Sequence, residues 1–201
     1  MRLGLFGGSF DPVHYGHLLL AECCREQRGL EQVWFLPAGV PPHKQDRQLT
    51  SGAARAEMLE LAVAGNEHFA VNRYEIDHGG VNYTVDTLRH FRREGPHWEL
   101  FLLMGADTLH DLPNWRESAE ICRLAVPVIV RRSGGGEPDF ACLVGMLPAD
   151  KIDEIRRHQV EMPEIGTSST DIRRRLAEGR SIRYQTPRAV QMYIQTHELY
   201  C

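Results

Sequence analysis

The residue types with the clearest chemistry lie in residues 7–17, which read GGSFDPVHYGH. This segment follows the apolar run RLGLF and leads into the helical pattern LLLAECCREQRG, so it predicts a glycine turn between a strand and a helix. In an open α/β sheet, backbone N–H groups and a helix N-terminus at this position face a ligand phosphate. His14 and His17 would share one side of the first helical turn and could donate to phosphate oxygens. The pair predicts a phosphate site, with a metal site or solvated histidines as alternatives.

Two further segments could bring cations to the same anion. Residues 41–44, PPHK, lie in the loop after the second predicted strand, so Lys44 would stand at the same edge of the sheet. Residues 166–173, GTSSTDIR, place hydroxyls at a predicted helix N-cap and Arg173 in the first turn. Taken singly, the first segment is also typical of a rigid surface loop, and the second of an ordinary capped helix.

Composition limits the class of protein. The chain has 201 residues, of which 42% are hydrophobic and 25% charged, as in ordinary globular domains. Its net charge of −4 disfavours a protein that wraps nucleic acid. Its apolar runs are too short for a membrane span, and its five scattered cysteines have no C-x-x-C spacing. We therefore expect a cytoplasmic protein with neither nucleic acid nor membrane as a partner.

The elements that must position these residues alternate along the chain. The predicted strands are residues 2–6, 32–36, 69–76, 100–104, 125–130 and 159–162. The predicted helices are residues 13–28, 53–64, 84–93, 115–122, 150–157, 169–177 and 187–196. The strands LFLLM and AVPVIV are apolar throughout, which is typical of a parallel sheet covered on both faces.

This pattern predicts an α/β fold with a doubly wound, mainly parallel, Rossmann-like sheet and a small C-terminal helical part. We expect a single domain over residues 1–201, with a core at about 1–165 and a helical segment at about 168–201. The loop GLFGGS does not keep the GxGxxG spacing of dinucleotide-binding proteins, and it has no lysine followed by Ser or Thr as in a Walker loop. What remains is two glycines, a hydroxyl and two histidines after the first strand, which predict phosphate binding.

Taken together, the motifs resemble those of a known protein family. GGSFDPVHYGH with its HxGH core, PPHK and SSTDIR resemble the nucleotidylyltransferase superfamily. Residues 83–88 (YTVDTL), 104–107 (MGAD), 113–115 (PNW) and 187–193 are similar, more narrowly, to bacterial nicotinate mononucleotide adenylyltransferases. The resemblance extends over nearly the whole chain and implies the nucleotidylyltransferase form of the Rossmann-like fold.

The resemblance implies an enzyme of NAD biosynthesis whose substrates are ATP and nicotinate mononucleotide and whose products are nicotinate adenine dinucleotide and pyrophosphate. The attacking phosphate monoester has a second pKa of about 6, so the reaction needs no general base. It needs charge neutralisation and in-line positioning. Mg²⁺ is expected on the triphosphate, held by phosphate oxygens and water without a protein ligand. A homo-oligomer is compatible with the sequence.

The resemblance also implies roles for individual residues. The catalytic set is His14, His17, Lys44 and Arg173. The ATP-binding set is Gly7, Gly8, Ser9, Phe10, His14, His17, Gly105, Asp107, Ser168, Ser169 and Arg173. The set for nicotinate mononucleotide is Ser9, Lys44, Thr84, Trp115, Arg116 and Arg132. In these sets Asp107 would bind the ribose of ATP, Trp115 would stack on the pyridine ring, and Thr84 would help to bind the carboxylate.

Two other functions stay open at this point. One is an enzyme that prefers nicotinamide mononucleotide or another phosphate acceptor, which donors aimed at an anionic carboxylate would disfavour. The other is a regulatory module that binds ATP without turnover. A module without turnover would be expected to have other residues at the catalytic positions. All four are present in this chain: His14, His17, Lys44 and Arg173. Trp115 likewise has the alternative of being an ordinary core residue.

Overall fold

We describe a computed structural model of the chain over residues 1–39, 49–134 and 136–200. Within these ranges the strands are β1 (Arg2–Gly8), β2 (Gln32–Pro37), β3 (Phe69–Val71), β4 (Glu99–Gly105), β5 (Val126–Arg132) and β6 (Val160–Met162). They form one sheet in the order β3-β2-β1-β4-β5-β6, and every neighbouring pair is parallel. The predicted doubly wound parallel sheet is confirmed.

The helices of the described ranges are α1 (Tyr15–Arg28), α2 (Gly52–Val63), α3 (Tyr74–His78), α4 (Thr84–Glu94), α5 (Ala106–Asp111), α6 (Ser118–Leu124), α7 (Ala149–Arg157), α8 (Ser169–Ala177) and α9 (Arg188–Thr196). Short 3₁₀ turns occupy Leu112–Asn114 and Phe140–Leu143. Among the described residues, no helix combines the length and the apolar character that crossing a bilayer requires.

Helices cover both faces of the sheet because successive side chains of each strand point to opposite sides. Phe6, Phe35 and Leu103 belong to one buried cluster, together with apolar residues of α1, α2, α8 and α9. Leu3, Leu5 and other strand residues belong to a second cluster, together with residues of α4, α5, α6 and α7. The strands therefore have no solvent-facing side, which explains their continuous apolar sequences.

The sheet opens between its two central strands. Pairing of β1 with β4 ends at Leu5 and Leu102, whereas β1 continues to pair with β2 as far as Gly8, and β4 with β5 as far as Gly105. The last residues of β1 and β4 therefore lie on either side of a crevice. The direction of strand order reverses at this point, which is where open α/β sheets bind their ligands.

Two predicted elements differ from the structure. The predicted strand 69–76 ends at Val71, because Asn72 accepts a hydrogen bond from the N–H of Tyr74 through its side chain and so starts α3. The predicted helix 115–122 begins only at Ser118, after the 3₁₀ turn at Leu112–Asn114. The short helix α5 has no counterpart among the predicted elements.

Candidate functional site

The loop at residues 9–14, which joins β1 to α1, is fixed by side chains from distant parts of the chain. Four of its carbonyl oxygens accept side-chain hydrogen bonds: Ser9 from Arg55 at 2.8 Å, Asp11 from Arg173, Pro12 from Ser169 at 2.8 Å and Val13 from Thr186 at 2.7 Å. The donors come from α2, α8 and the segment before α9. The loop has little regular structure of its own, so these bonds set its shape.

The predicted phosphate cradle lies at the start of this loop. Phe10 has a left-handed backbone (φ 47°), and its ring is buried in edge contact with Phe6 and His17, at centroid distances of 5.3 and 5.0 Å. A Cβ on Gly8 would lie 2.9 Å from this ring, so a side chain at position 8 would displace Phe10. Gly7 has open space where its Cβ would stand.

His14 and His17 lie where the sequence places them, at the N-terminus of α1. Their rings stack with centroids 3.7 Å apart and an interplanar angle of 24°. The backbone N–H of His14 donates to Nδ1 of His17 at 3.3 Å. Because that nitrogen accepts, the proton of a neutral His17 ring is on Nε2. Nδ1 of His14 is buried and makes no hydrogen bond within the described part of the chain.

Burial keeps both imidazoles neutral. Desolvation lowers the pKa of His14 to about 4. Desolvation, and repulsion from His14 when that ring is protonated, lower the pKa of His17 well below its usual range. Near pH 7 the pair therefore consists of uncharged N–H donors.

The presence of glycine at position 16, between the two histidines, has a steric explanation. A Cβ on Gly16 would lie 3.0 Å from Cε1 and Nδ1 of His14, and 3.4 Å from Ile165. The His14 ring would have to move away from its stacking position. The third residue of the HxGH motif is thus restricted by packing inside the motif itself.

Arg55 is a residue of the site that the sequence analysis missed. It is only 1% exposed and donates to the carbonyls of Thr50 at 2.9 Å, Ser9 at 2.8 Å and Ala38 at 2.7 Å. One guanidinium group therefore joins the ends of β1 and β2. A signal was present, because an arginine interrupts the otherwise apolar buried face of α2.

The first turn of α8 also contacts the loop. Ser168 caps α8 by accepting from the N–H of Asp171 at 3.1 Å. Ser169 donates to Pro12, while Arg173 donates to Asp11 and, at 3.2 Å, to Thr170. These residues therefore contact the loop that carries the histidines, as their shared assignment to phosphate binding requires.

The remaining predicted residues lie at the same edge of the sheet. Gly105 is the last residue of β4, with open space at its Cβ position, and the exposed Asp107 is in the first turn of α5. Thr84 begins α4, which leads into β4 and so starts at the carboxyl edge. Arg132 is the exposed last residue of β5. Lys44 lies outside the described residues.

Trp115 and Arg116 follow the 3₁₀ turn after α5. Trp115 is half-buried and packs against the second core cluster. The Arg116 guanidinium lies over the Tyr83 ring at 4.7 Å, with Nη1 3.6 Å from a carboxylate oxygen of Asp86. Arg116 is thereby brought beside Tyr83, the residue that precedes Thr84.

The described residues contain no group of three or more His, Cys, Asp or Glu side chains placed to hold a metal ion. At the histidine pair itself, Nδ1 of His17 already accepts a hydrogen bond from the protein backbone. The donors collected around the loop are imidazole, guanidinium and hydroxyl groups, which suit an anion.

Comparisons with known proteins agree on the family of this chain. Residues 5–175 match the family described as cytidylyltransferase-like. A probable nicotinate-nucleotide adenylyltransferase of Thermomicrobium roseum is 48% identical over 199 residues, which cover 99% of this chain and 91% of the relative. Another, of Thermus thermophilus, is 46% identical over 200 residues, which cover 100% of both chains.

Solved structures show the same fold. The Plasmodium falciparum nicotinic acid mononucleotide adenylyltransferase complexed with NaAD superposes with a TM-score of 0.77 at 17% identity, covering 99% of this chain and 97% of that one. A putative nicotinate-nucleotide adenylyltransferase from Vibrio parahaemolyticus gives 0.70 at 17% identity, covering 100% and 96%. At such low identity the likeness concerns the fold alone.

Replacing Arg55 with methionine is expected to lower the free energy of unfolding by about 3–5 kcal/mol, because four carbonyls lose a buried donor and Asp11 loses a nearby cation. Urea unfolding measures this. Arg73→Met is the matched control, since Arg73 makes only ion pairs of 3.7 Å at the surface and its loss should cost about 0.5 kcal/mol or less. Equal losses in the two variants would contradict the role given to Arg55.

The buried His14 should make the protein less stable as pH falls. Between pH 6.5 and about 4, the unfolded chain binds a proton at His14 that the folded chain does not, so the free energy of unfolding declines over this window. His14→Asn should remove up to about 1.4 kcal/mol per pH unit of that slope. Urea unfolding at pH 7, 6 and 5 measures it, and an unchanged slope in the variant would mean that burial does not hold His14 neutral.

Proposed function

The chain belongs to the cytidylyltransferase-like family and, within it, to the nicotinate-nucleotide adenylyltransferases, and we propose that it transfers the adenylyl group of ATP to nicotinate mononucleotide. The products are nicotinate adenine dinucleotide and pyrophosphate, and the reaction is a step of NAD biosynthesis. The observation that carries the proposal is the stacked pair of neutral imidazoles beside the crevice between β1 and β4, of which His14 is buried and His17 partly buried. The substrates are both small molecules.

The histidines stabilise the phosphoryl group during transfer. The attacking phosphate of the mononucleotide is already largely dianionic near neutral pH, so neither imidazole has to remove a proton. Nε2–H of His17 is assigned to an oxygen of the α-phosphoryl group, and the stacked His14 ring is assigned to the same phosphates. Because both rings are held in place before substrate binds, no reorganisation is needed at the moment of reaction.

Backbone N–H groups of the loop are assigned to the phosphate oxygens as well. In a trans peptide the C=O and N–H groups point in opposite directions, so the bond from Arg55 to the Ser9 carbonyl directs the N–H of Phe10 away from Arg55. We assign this N–H, with Gly7, Gly8 and Ser9, to the phosphate cradle. The N-terminus of α1 adds its positive end.

The leaving pyrophosphate is assigned to the cations and hydroxyls around α8. Arg173 has five N–H groups, and its bonds to Asp11 and Thr170 fix the plane of the guanidinium next to the loop. Ser168 and Ser169 lie in the same turn, and Lys44 is assigned to the phosphates from its position in the sequence motif. Neutralising the charge that develops on the leaving group lowers the barrier to its departure.

The adenosine and the mononucleotide are assigned to opposite parts of the carboxyl edge. Gly105 leaves room for the adenine, and Asp107 is assigned to the ribose. Trp115 is assigned to the pyridine ring, Arg132 to the phosphate of the mononucleotide, and Thr84 with the backbone of Trp115 and Arg116 to the carboxylate. The Arg116 side chain is engaged by Tyr83 and Asp86, which favours its backbone N–H as the donor.

Nucleotidyltransferases use a divalent metal ion with their nucleotide phosphates. We propose that the ion here is Mg²⁺, held by triphosphate oxygens and water, because the donors around the loop suit the phosphates and not the cation. When bound, the ion neutralises phosphate charge. No side chain of the described residues is assigned to it.

We also propose that the chain acts as one domain in the cytoplasm. Residues from α8 onward donate to the loop after β1, so the C-terminal helical segment completes the site instead of forming a separate unit. The described cysteines are free thiols, as in a reducing compartment.

The reaction is tested by measuring pyrophosphate release with MgATP and, in parallel, nicotinate mononucleotide, nicotinamide mononucleotide and phosphopantetheine. We expect turnover with the acid well above that with the amide, because backbone donors favour the anionic carboxylate. Turnover with another acceptor would replace the assigned acceptor site. ATP binding without turnover on any acceptor would instead favour the regulatory module.

His17→Ala should lower kcat by about 10²–10³, as the loss of one preorganised donor to the reacting oxygen does elsewhere. Steady-state kinetics with both substrates varied will separate kcat from KM. His68→Ala is the control, since His68 directly precedes β3 and so lies at the opposite, amino edge of the sheet. A change confined to KM in the His17 variant would exclude a role in the transfer step.

A further inference from the structure

Asp11 is the buried carboxylate of the loop that carries the histidines. It is 3% exposed and stands between the phosphate cradle and His14. A buried carboxylate requires hydrogen-bond donors and nearby positive charge. The charge of Arg55 acts on Asp11, and Arg173 donates to its backbone carbonyl, so two cations lie near this residue.

A tyrosine from the far end of the sequence supplies the hydrogen bond to this carboxylate. The hydroxyl of Tyr200 donates to Oδ1 of Asp11 at 2.6 Å, and Thr50 hydrogen-bonds to the same hydroxyl. Burial and the charge of Asp11 raise the pKa of Tyr200, so the phenol keeps its proton and remains the donor.

The backbone after α9 is shaped to bring Tyr200 to the loop. Glu198 and Tyr200 have left-handed backbone angles (φ 51° and 67°), which residues other than glycine rarely adopt. The N–H of Leu199 donates to the carbonyl of Ile194 at 3.0 Å and reverses the chain at the end of the helix. Unfavourable backbone angles persist where surrounding contacts hold them, and here the Asp11 bond is one of those contacts.

We propose that Tyr200 is a positioning residue for adenylyl transfer: its hydroxyl fixes the Asp11 side chain and thereby the loop that presents His14 and His17. The other anchors of the loop bind its carbonyl oxygens, whereas Tyr200 binds a side chain. Asp11 precedes His14 by three residues, and the His14 N–H in turn orients the His17 ring. This inference rests on the proposed function, because it assigns Tyr200 to the same transfer step.

Tyr200→Phe removes the hydroxyl and keeps the ring and its packing. We expect kcat to fall about tenfold, because small displacements of reacting groups cost that much or more, while KM for ATP and for nicotinate mononucleotide stays within about twofold. Tyr193→Phe is the matched control. Tyr193 also donates to a carboxylate, Glu57, at 2.7 Å, but this bond joins α9 to α2 and involves no residue of the loop, so kcat should not change.

A second measurement needs no substrate. In protein labelled with ¹⁵N at histidine, Tyr200→Phe should shift the imidazole signals of His14 and His17, and Tyr193→Phe should leave them in place. Equal kcat values for the two phenylalanine variants, or unchanged imidazole signals in Tyr200→Phe, would overturn the proposal for Tyr200. If the wild-type protein released no pyrophosphate, the proposed function would fail, and the imidazole signals would still test whether Tyr200 positions the histidines.

Discussion

The site depends on hydrogen bonds that distant side chains donate to the carbonyl oxygens of the loop at residues 9–14. The loop has little regular structure of its own that would supply such partners. Residues 9–14 leave a parallel strand and must reach a helix N-terminus, so their peptide groups need partners from elsewhere. Arg55, Ser169, Arg173 and Thr186 provide them from three parts of the chain. Since these donors hold the loop from the protein side, its N–H groups and the helix end can face a ligand.

The position of His14 and His17 at the end of this loop also determines their protonation state. The two rings stack on each other, the His17 ring lies against the buried ring of Phe10, and desolvation lowers the pKa values of both histidines. An uncharged imidazole donates one hydrogen bond and does not have to lose a proton for the reaction proposed here. Burial therefore costs some stability under acid conditions and gives the site donors whose state does not change near neutral pH.

The parts of the fold that could be predicted are those with strong local signals. Continuous apolar strands, glycine turns and the capped helix at residue 169 gave the parallel sheet and most element bounds. The strand ending at Val71 was predicted too long because the Asn72 side chain ends it, and α5 was missed because it has only six residues. Arg55 was missed because a buried arginine makes sense only once its carbonyl partners are known.

The sequence by itself determined the family, the chemistry and the candidate residues, because a glycine turn, two histidines and a capped basic helix have meaning at fixed local spacing. Only the tertiary structure decided how these residues are held. Burial set the charge of His14 and His17, and contacts across more than 150 residues of sequence brought Ser169, Thr186 and Tyr200 to one loop. Desolvation and long-range hydrogen bonds depend on which surfaces meet in the folded chain, and local sequence does not specify that.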